Sequence, residues 1–346
     1  MWPEFAQALL VNLGEYATIT ELLTPLALRG TPRIRGDLGI AYYFLGQYDK
    51  AIRHERLLLA DMIRAKDAAQ TAISLSRLST CLSETGKDIA AVRCLDLWAE
   101  VNAGDDGELC RHRATLAAAQ GRIEQARQLI DQAEELGPAG LSPWFAEAIG
   151  YQRLYLALMA DASLTHDQLA EAVARTRSWH YRRRLAGLDY EMRVRQGQFR
   201  QALAAARREE QLGRNAGLEV APAKRAFMLA KLGRTSDASA LVEESLARFP
   251  RIHPALRDHY FLAQALWELG RDDKAAEHAR DAYKQSWHDG PPNCDHWGLR
   301  DARELLLAMG EPVPALTTVD PASVKAPLEG RIRAFVAELR SKRSGR

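Results

Sequence analysis

The sequence predicts an all-α fold, an α-solenoid of stacked helix–turn–helix units with a C-terminal capping helix. Three observations carry that expectation. A glycine is followed five residues later by an alanine at Gly46/Ala51, Gly86/Ala91, Gly121/Ala126, Gly197/Ala202, Gly233/Ala238 and Gly270/Ala275. Successive alanines lie 40, 35, 76, 36 and 37 residues apart, so one unit is hidden inside the longest interval. The apolar residues of the periodic segments recur with the 3.6-residue period of a helix rather than the alternation of a strand.

Taken in order, the first helix is expected over Pro3 to Leu13, with Pro3 at an early position where its missing N–H does no harm. Gly14 ends it, and Tyr16 to Leu28 forms the partner helix. This pair is degenerate, because Ile19 stands where the offset calls for alanine, as the first unit of a repeat array can be. Residues 1–30 are therefore set apart from the array proper.

The stretch Leu38 to Leu59, LGIAYYFLGQYDKAIRHERLLL, shows the unit in full. Leu38, Gly39 and Tyr42 share one helical face, Gly46 closes the helix, and Ala51 opens the contact face of a second one. Small residues at Gly39 and Ala51 let two antiparallel helices approach closely, while Leu38, Tyr42, Tyr48 and Leu58 fill the space around them. These residues resemble a tetratricopeptide repeat, a helix–turn–helix unit of about 34 residues. Glu55 stands where that family has an aromatic residue, and Leu58 where it has alanine. The resemblance implies a right-handed superhelical array that binds rather than catalyses.

Counting onward gives about seven units within residues 31–286. The hidden unit is supplied by Trp144 to Ala160 and Thr165 to Arg177, and Thr165 with Gln168 predicts a capping box at the start of the second run. Pro138 and Pro250 fall where a proline commonly follows the second helix. Residues 287–346 form the third part. A Pro/Gly-rich loop, Trp287 to Trp297, leads into a helix from about Asp295 to Met309, which Gly310 and Pro312 stop. A coil connector, Val313 to Pro327, precedes an amphipathic helix whose apolar face is Leu328, Ile332, Phe335, Val336 and Leu339. That helix is expected to cover the apolar end of the array.

The segment Asp289 to Pro321 is similar to the C-terminal close of repeat arrays attached to bacterial signal-transduction ATPases. No GxxxxGK[ST] phosphate loop occurs in the chain. The resemblance implies an alternative role, the ligand-sensing part of a bacterial signalling or antiviral-defence system without its own nucleotide-binding domain.

Composition bounds the function. A net charge of +2 on 346 residues exerts no general pull on nucleic acid or membrane, so an electrostatic partner must be met by a local patch. Cys81, Cys94, Cys110 and Cys294 form no CxxC pair, and no run of about 18 apolar residues occurs. The expectation is a cytoplasmic, non-enzymatic protein with no cofactor and no membrane partner. Trp287, His288, Cys294, Asp295 and His296 contain the ingredients of a zinc site, but Cys294-x-His296 is too short for a ligand pair on one element. Packing of the last repeat is the preferred reading, and a Cys294/His296 thiol site is disfavoured because residues two apart on a helix face apart. Cys81 and Cys94 are expected to pack as small apolar groups, and Tyr43 and Phe44 to be available for contact.

The strongest charge feature is the span Arg175 to Arg214, which carries eleven arginines against Asp189, Glu191, Glu209 and Glu210. Many of these are expected to be solvated or paired. Tetratricopeptide arrays bind along the concave surface lined by the first helix of each unit. Carried onto this register, that surface holds Arg33, Tyr43, Arg77, Arg111, His112, Arg184, Glu191, Arg195, Lys224, Phe227, Lys231, Tyr260, Gln264 and Trp267. Alternating cations and aromatics suit another protein or peptide segment that is extended and acidic. Nucleic acid is not favoured, since no nucleic-acid-binding motif is present. Gly36 and Ile40 stand where some relatives clamp a C-terminal carboxylate, so that mode of binding is not expected.

Overall fold

A computed structural model describes residues 16–26, 31–138, 144–160, 163–249 and 257–344. Among them every regular element is helical. The expected Pro3 to Leu13 helix and the Pro250 position lie outside the described residues. The order is α1 Tyr16–Leu23, a 3₁₀ turn Thr24–Leu26, α2 Pro32–Phe44, α3 Tyr48–Ala65, α4 Ala68–Glu84, α5 Asp88–Asn102, α6 Gly107–Ala119 and α7 Ile123–Leu136. It continues with α8 Phe145–Met159, α9 His166–Arg175, α10 Trp179–Arg195, α11 Phe199–Asn215, α12 Ala223–Lys231, α13 Thr235–Arg248, α14 Asp258–Glu268, α15 Asp272–Trp287 and α16 His296–Ala308. A 3₁₀ turn, Pro321–Ser323, precedes α17, Glu329–Ser344. The first partner helix is shorter than expected: the α-helix stops at Leu23, because Pro25 offers no N–H and its ring crowds the preceding turn.

The constant five-residue offset has a backbone cause. All six glycines adopt the left-handed conformation, with φ between 69° and 73°. A side chain would be strained there. In five of the six turns the next N–H reaches back five residues, as Gln47 does to the Tyr42 carbonyl at 2.8 Å and Arg234 to that of Leu229 at 2.9 Å. This Schellman turn satisfies the helix end and fixes where the next helix begins. The alanine five residues past each glycine is then always the fourth residue of the second helix. All six, Ala51, Ala91, Ala126, Ala202, Ala238 and Ala275, are fully buried. The hidden unit starts its second helix differently. Thr165 caps α9 through its hydroxyl, and the Gln168 side chain returns the bond to the Thr165 N–H at 2.9 Å, completing the expected capping box.

Contacts divide the chain into two compact units, one of Met1–Ala117, Glu124–Pro143 and Val319–Arg346, the other of Ala118–Ile123 and Trp144–Thr318. In the first, Leu59, Leu75, Leu78, Leu95, Trp98 and Leu109 build the core, and Ile332, Phe335 and Val336 of α17 complete it. The helix is amphipathic as expected and does cover apolar surface, but its place differs from the end of the array. It lies on α3 and α5, the second helices of two early units. Arg333 pairs with Glu100 at 3.1 Å, Lys66 with Glu338, and Arg93 donates to the Pro321 carbonyl at 2.7 Å. In the second unit, Tyr190, Phe227, Phe261, Leu262 and Leu266 interlock with the buried alanines of α11, α13 and α15.

Candidate functional site

The fourteen sequence-predicted positions all fall on first helices, and they are treated separately in the two units. In the first, Arg33 is exposed on α2. Tyr43 sets its ring against Phe44 at 5.2 Å and Tyr48 at 5.8 Å. Phe44 is itself stacked on Tyr16 at 4.7 Å, so it is packing material rather than a free contact. Arg77 reaches across to Glu55 on α3 at 3.4 Å. Arg111 pairs with Glu108 at 2.7 Å and also contacts the His112 Nε2 at 2.6 Å. Burial holds the His112 imidazole well below its usual proton affinity, with Arg111 adding to the effect, and its ring meets the edge of Trp98 at 5.6 Å. Arg111 and His112 therefore serve the interior as much as the surface.

Glu55 shows how a departure from the repeat pattern is absorbed. It is 1% exposed, where an aromatic ring would normally fill the gap between the helices. Gly39 makes the room: a Cβ at that position would lie 2.3 Å from the Glu55 carboxyl oxygen. Desolvation raises the carboxyl to about 7, against the opposing pull of Arg77.

In the second unit the first helices α8, α10, α12 and α14 present a set of cations held over aromatic rings. Arg184 lies over Tyr151 at 5.4 Å, Lys224 over Tyr190 at 5.1 Å and Phe261 at 5.5 Å, and Lys231 over Phe227 at 5.7 Å. Each cation faces the negative π-face of its ring, an arrangement that orients it without neutralising it. Carboxylates share them: Lys224 with Glu209 at 2.7 Å, Lys231 with Glu268. Arg195 donates to the Leu158 carbonyl at 2.7 Å. Gln264 donates to the Tyr260 hydroxyl at 3.1 Å, and Trp267 is 37% exposed. Phe227 is the correction in this group. It is 3% exposed, stacked against Phe261, and belongs to the core.

Two segments of the chain, residues 107–132 and 259–281, match the family model of the tetratricopeptide repeat. Those two segments resemble tetratricopeptide repeats. Each matched segment contains one of the glycine/alanine pairs, Gly121/Ala126 and Gly270/Ala275. Such repeats are in general protein–protein interaction modules. A search of curated proteins finds no match. No helix among the described residues is long and apolar enough to cross a membrane.

What the repeat register missed is centred on Arg257, which precedes α14. It pairs with Glu191 at 3.3 Å and with Asp301, and lies over Tyr260 at 5.1 Å and Phe261 at 5.3 Å. Glu191 thus answers an internal cation, and those carboxylates hold the guanidinium charged despite its burial. Tyr151, Tyr155 and Tyr181 were also missed; Tyr151 lies 6.2 Å from Tyr155 and 6.1 Å from Tyr181. They belong to the helix–turn–helix unit without the glycine/alanine pair and to the one after it. The readable signal was the Tyr151/Tyr155 spacing of four residues, which places both rings on one face of a helix.

Several arginines of the Arg175–Arg214 concentration are paired nearby. Arg175 bonds Glu171 and Arg193 bonds Asp189 at 2.6 Å; Arg214 bonds Glu210, and Arg182 donates to the Thr176 carbonyl at 2.8 Å. The Trp287–Trp297 loop is packed as expected. Trp287 donates to the Thr317 carbonyl at 3.2 Å, Trp297 to that of Ala118 at 2.9 Å, and Cys294 is buried. Cys81, Cys94 and Cys110 are buried free thiols; burial pushes Cys94 up to about 12 and Cys110 to about 11, which suits packing and not nucleophilic chemistry.

Proposed function

We propose that the protein binds an extended, acidic segment of a partner protein along the first-helix face of its second unit, acting as a scaffold or adaptor. The observation that carries the reading is the row of ring-backed cations on α10 and α12, beside the exposed Trp267 of α14. Lys231 and Trp267 are the accessible end of that row. A partner carboxylate can exchange with Glu268 at Lys231, while the indole supplies the aromatic anchor typical of interface hot spots. Cations already set over rings lose little freedom on binding, which lowers the entropic cost of the complex. Cytoplasmic location and the absence of catalysis go with this reading. The role as a sensor in a signalling system rests on Asp289–Pro321, and the packing of Trp287 and Trp297 accounts for those residues by structure alone.

The test uses a display library of extended peptides with acidic and aromatic positions randomised. Selected binders should be enriched in Asp and Glu and weaken as salt rises, since exposed ion pairs are screened within about 10 Å at 0.1 M. Lys231→Glu together with Trp267→Ala should abolish binding and leave helicity and Tm unchanged, because both side chains are exposed. Binders without acidic residues, or binding that survives the double substitution, would remove the reading.

A further inference from the structure

Among the described residues, one group of His, Cys, Asp or Glu side chains has the spacing of a metal centre, and none of its members belongs to the cation row. His259 on α14 and His278 on α15 bring their Nδ1 atoms to 3.0 Å from each other. Asp281, one turn along α15 from His278, completes a set of ligand atoms all within 4.8 Å of one another. We propose that His259, His278 and Asp281 form a binding site for a divalent transition-metal ion of the zinc class.

The geometry supports this in three steps. Two imidazole nitrogens facing each other repel through their lone pairs unless a proton or a cation lies between them. A tetrahedral zinc ion bound at about 2.0–2.1 Å holds its nitrogen ligands roughly 3.3 Å apart, so the observed approach needs an adjustment of only a few tenths of an ångström. A ligand pair at i and i+3 on one helix, with a third on the facing helix, is how helical bundles build metal sites. Here the pair is His278 and Asp281, and His259 faces them across the same repeat. Asp281 also meets Lys284 Nζ at 3.2 Å, and a carboxylate has a second oxygen to give.

The surroundings suit the ion as well. Phe249 sets its ring edge-on to His259 at 4.8 Å and to His278 at 5.9 Å, walling one side of the pair with apolar surface. Both histidines are half-buried, and the neutral imidazole is the form that ligates. Two nitrogens and one carboxylate oxygen are the donor set of zinc and its neighbours rather than of calcium or magnesium, which take oxygen ligands. Three protein ligands leave a fourth position for water or for a group from a bound partner. The buried thiols do not compete, because burial disfavours the thiolate that would bind zinc.

The experiment uses the full chain, stripped with a chelator, dialysed and titrated with zinc chloride against a chromogenic competitor, with bound metal counted by mass spectrometry. One zinc per chain is expected, with a rise in Tm, and cobalt substitution should give the visible absorption of a four-coordinate site. Asp281→Asn and His278→Gln should each weaken zinc by more than the roughly 10–100-fold that an outer-shell partner of a ligand is worth. His166→Gln, on an exposed position of α9, should leave it unchanged. Should the half-buried His278 variant fail to fold, Asp281→Asn, whose side chain is 38% exposed, still decides. Sub-stoichiometric zinc in the wild type, or equal affinity in Asp281→Asn, would overturn the assignment.

Discussion

Replacing Glu55 with glutamine tests whether a buried carboxyl has taken the place of the usual aromatic residue at the cost of pH-dependent stability. The side chain is 1% exposed, its Oε2 has no hydrogen-bond partner, and Arg77 reaches Oε1 at 3.4 Å. Folding raises its proton affinity from 4.5 to about 7. The folded state then holds the proton that the unfolded state has released, so stability falls as pH rises between those two values and is flat above. At 1.36 kcal/mol per tenfold, the loss from about pH 4.5 to about pH 8 approaches 3 kcal/mol. Glutamine keeps the shape and the contact with Arg77 but cannot ionise, so the variant should lack this component. Repeat arrays open locally, and hydrogen exchange of the α2–α4 amides is therefore a better readout than a global melt. Protection of those amides in Glu55→Gln should exceed that of the wild type by up to about two decades near pH 8, and the gap should close near pH 4.5. Parallel pH profiles for the two proteins would refute the reasoning, and would mean that Arg77 keeps Glu55 ionised in the fold.

Two further substitutions test the packing. Ala238 is fully buried between α13 and the helices it crosses, so Ala238→Glu should cost on the order of 3 kcal/mol and lower the urea midpoint clearly. An unchanged midpoint would mean that the repeat register is misplaced. Phe335 is 4% exposed in the core that α17 completes, and Phe335→Ala should cost about 3–5 kcal/mol locally. Limited proteolysis should then release the segment after Pro327 first, with α8 to α16 still protected.

Much of the fold was legible because the repeat writes its turn into the sequence. A left-handed residue at the turn inside these units favours glycine, and the tight Schellman turn puts a small residue at a constant distance beyond it. Gly233 and Ala238 illustrate both requirements, and neither depends on distant parts of the chain. The same locality explains the capping box at Thr165 and the stripe of Ile332, Phe335 and Val336 on α17. Where the signal was absent, as around Tyr151 and Tyr155, the site positions could not be carried across.

Only the tertiary structure decided what those elements meet. An amphipathic helix declares that it will be covered but not by what, so the place of α17 on α3 and α5 followed from a connector that brings it back to early repeats. Phe227 occupies a groove position by count, yet the neighbouring helix carries Phe261 and draws it into the core. Arg257 matters through Glu191 and Asp301, 66 and 44 residues away in sequence, and charges so separated leave no local pattern. His259 and His278 likewise read as two unrelated histidines until α14 and α15 fold face to face, because side-chain chemistry at a site is set by distance in space, which helix periodicity constrains only within one helix.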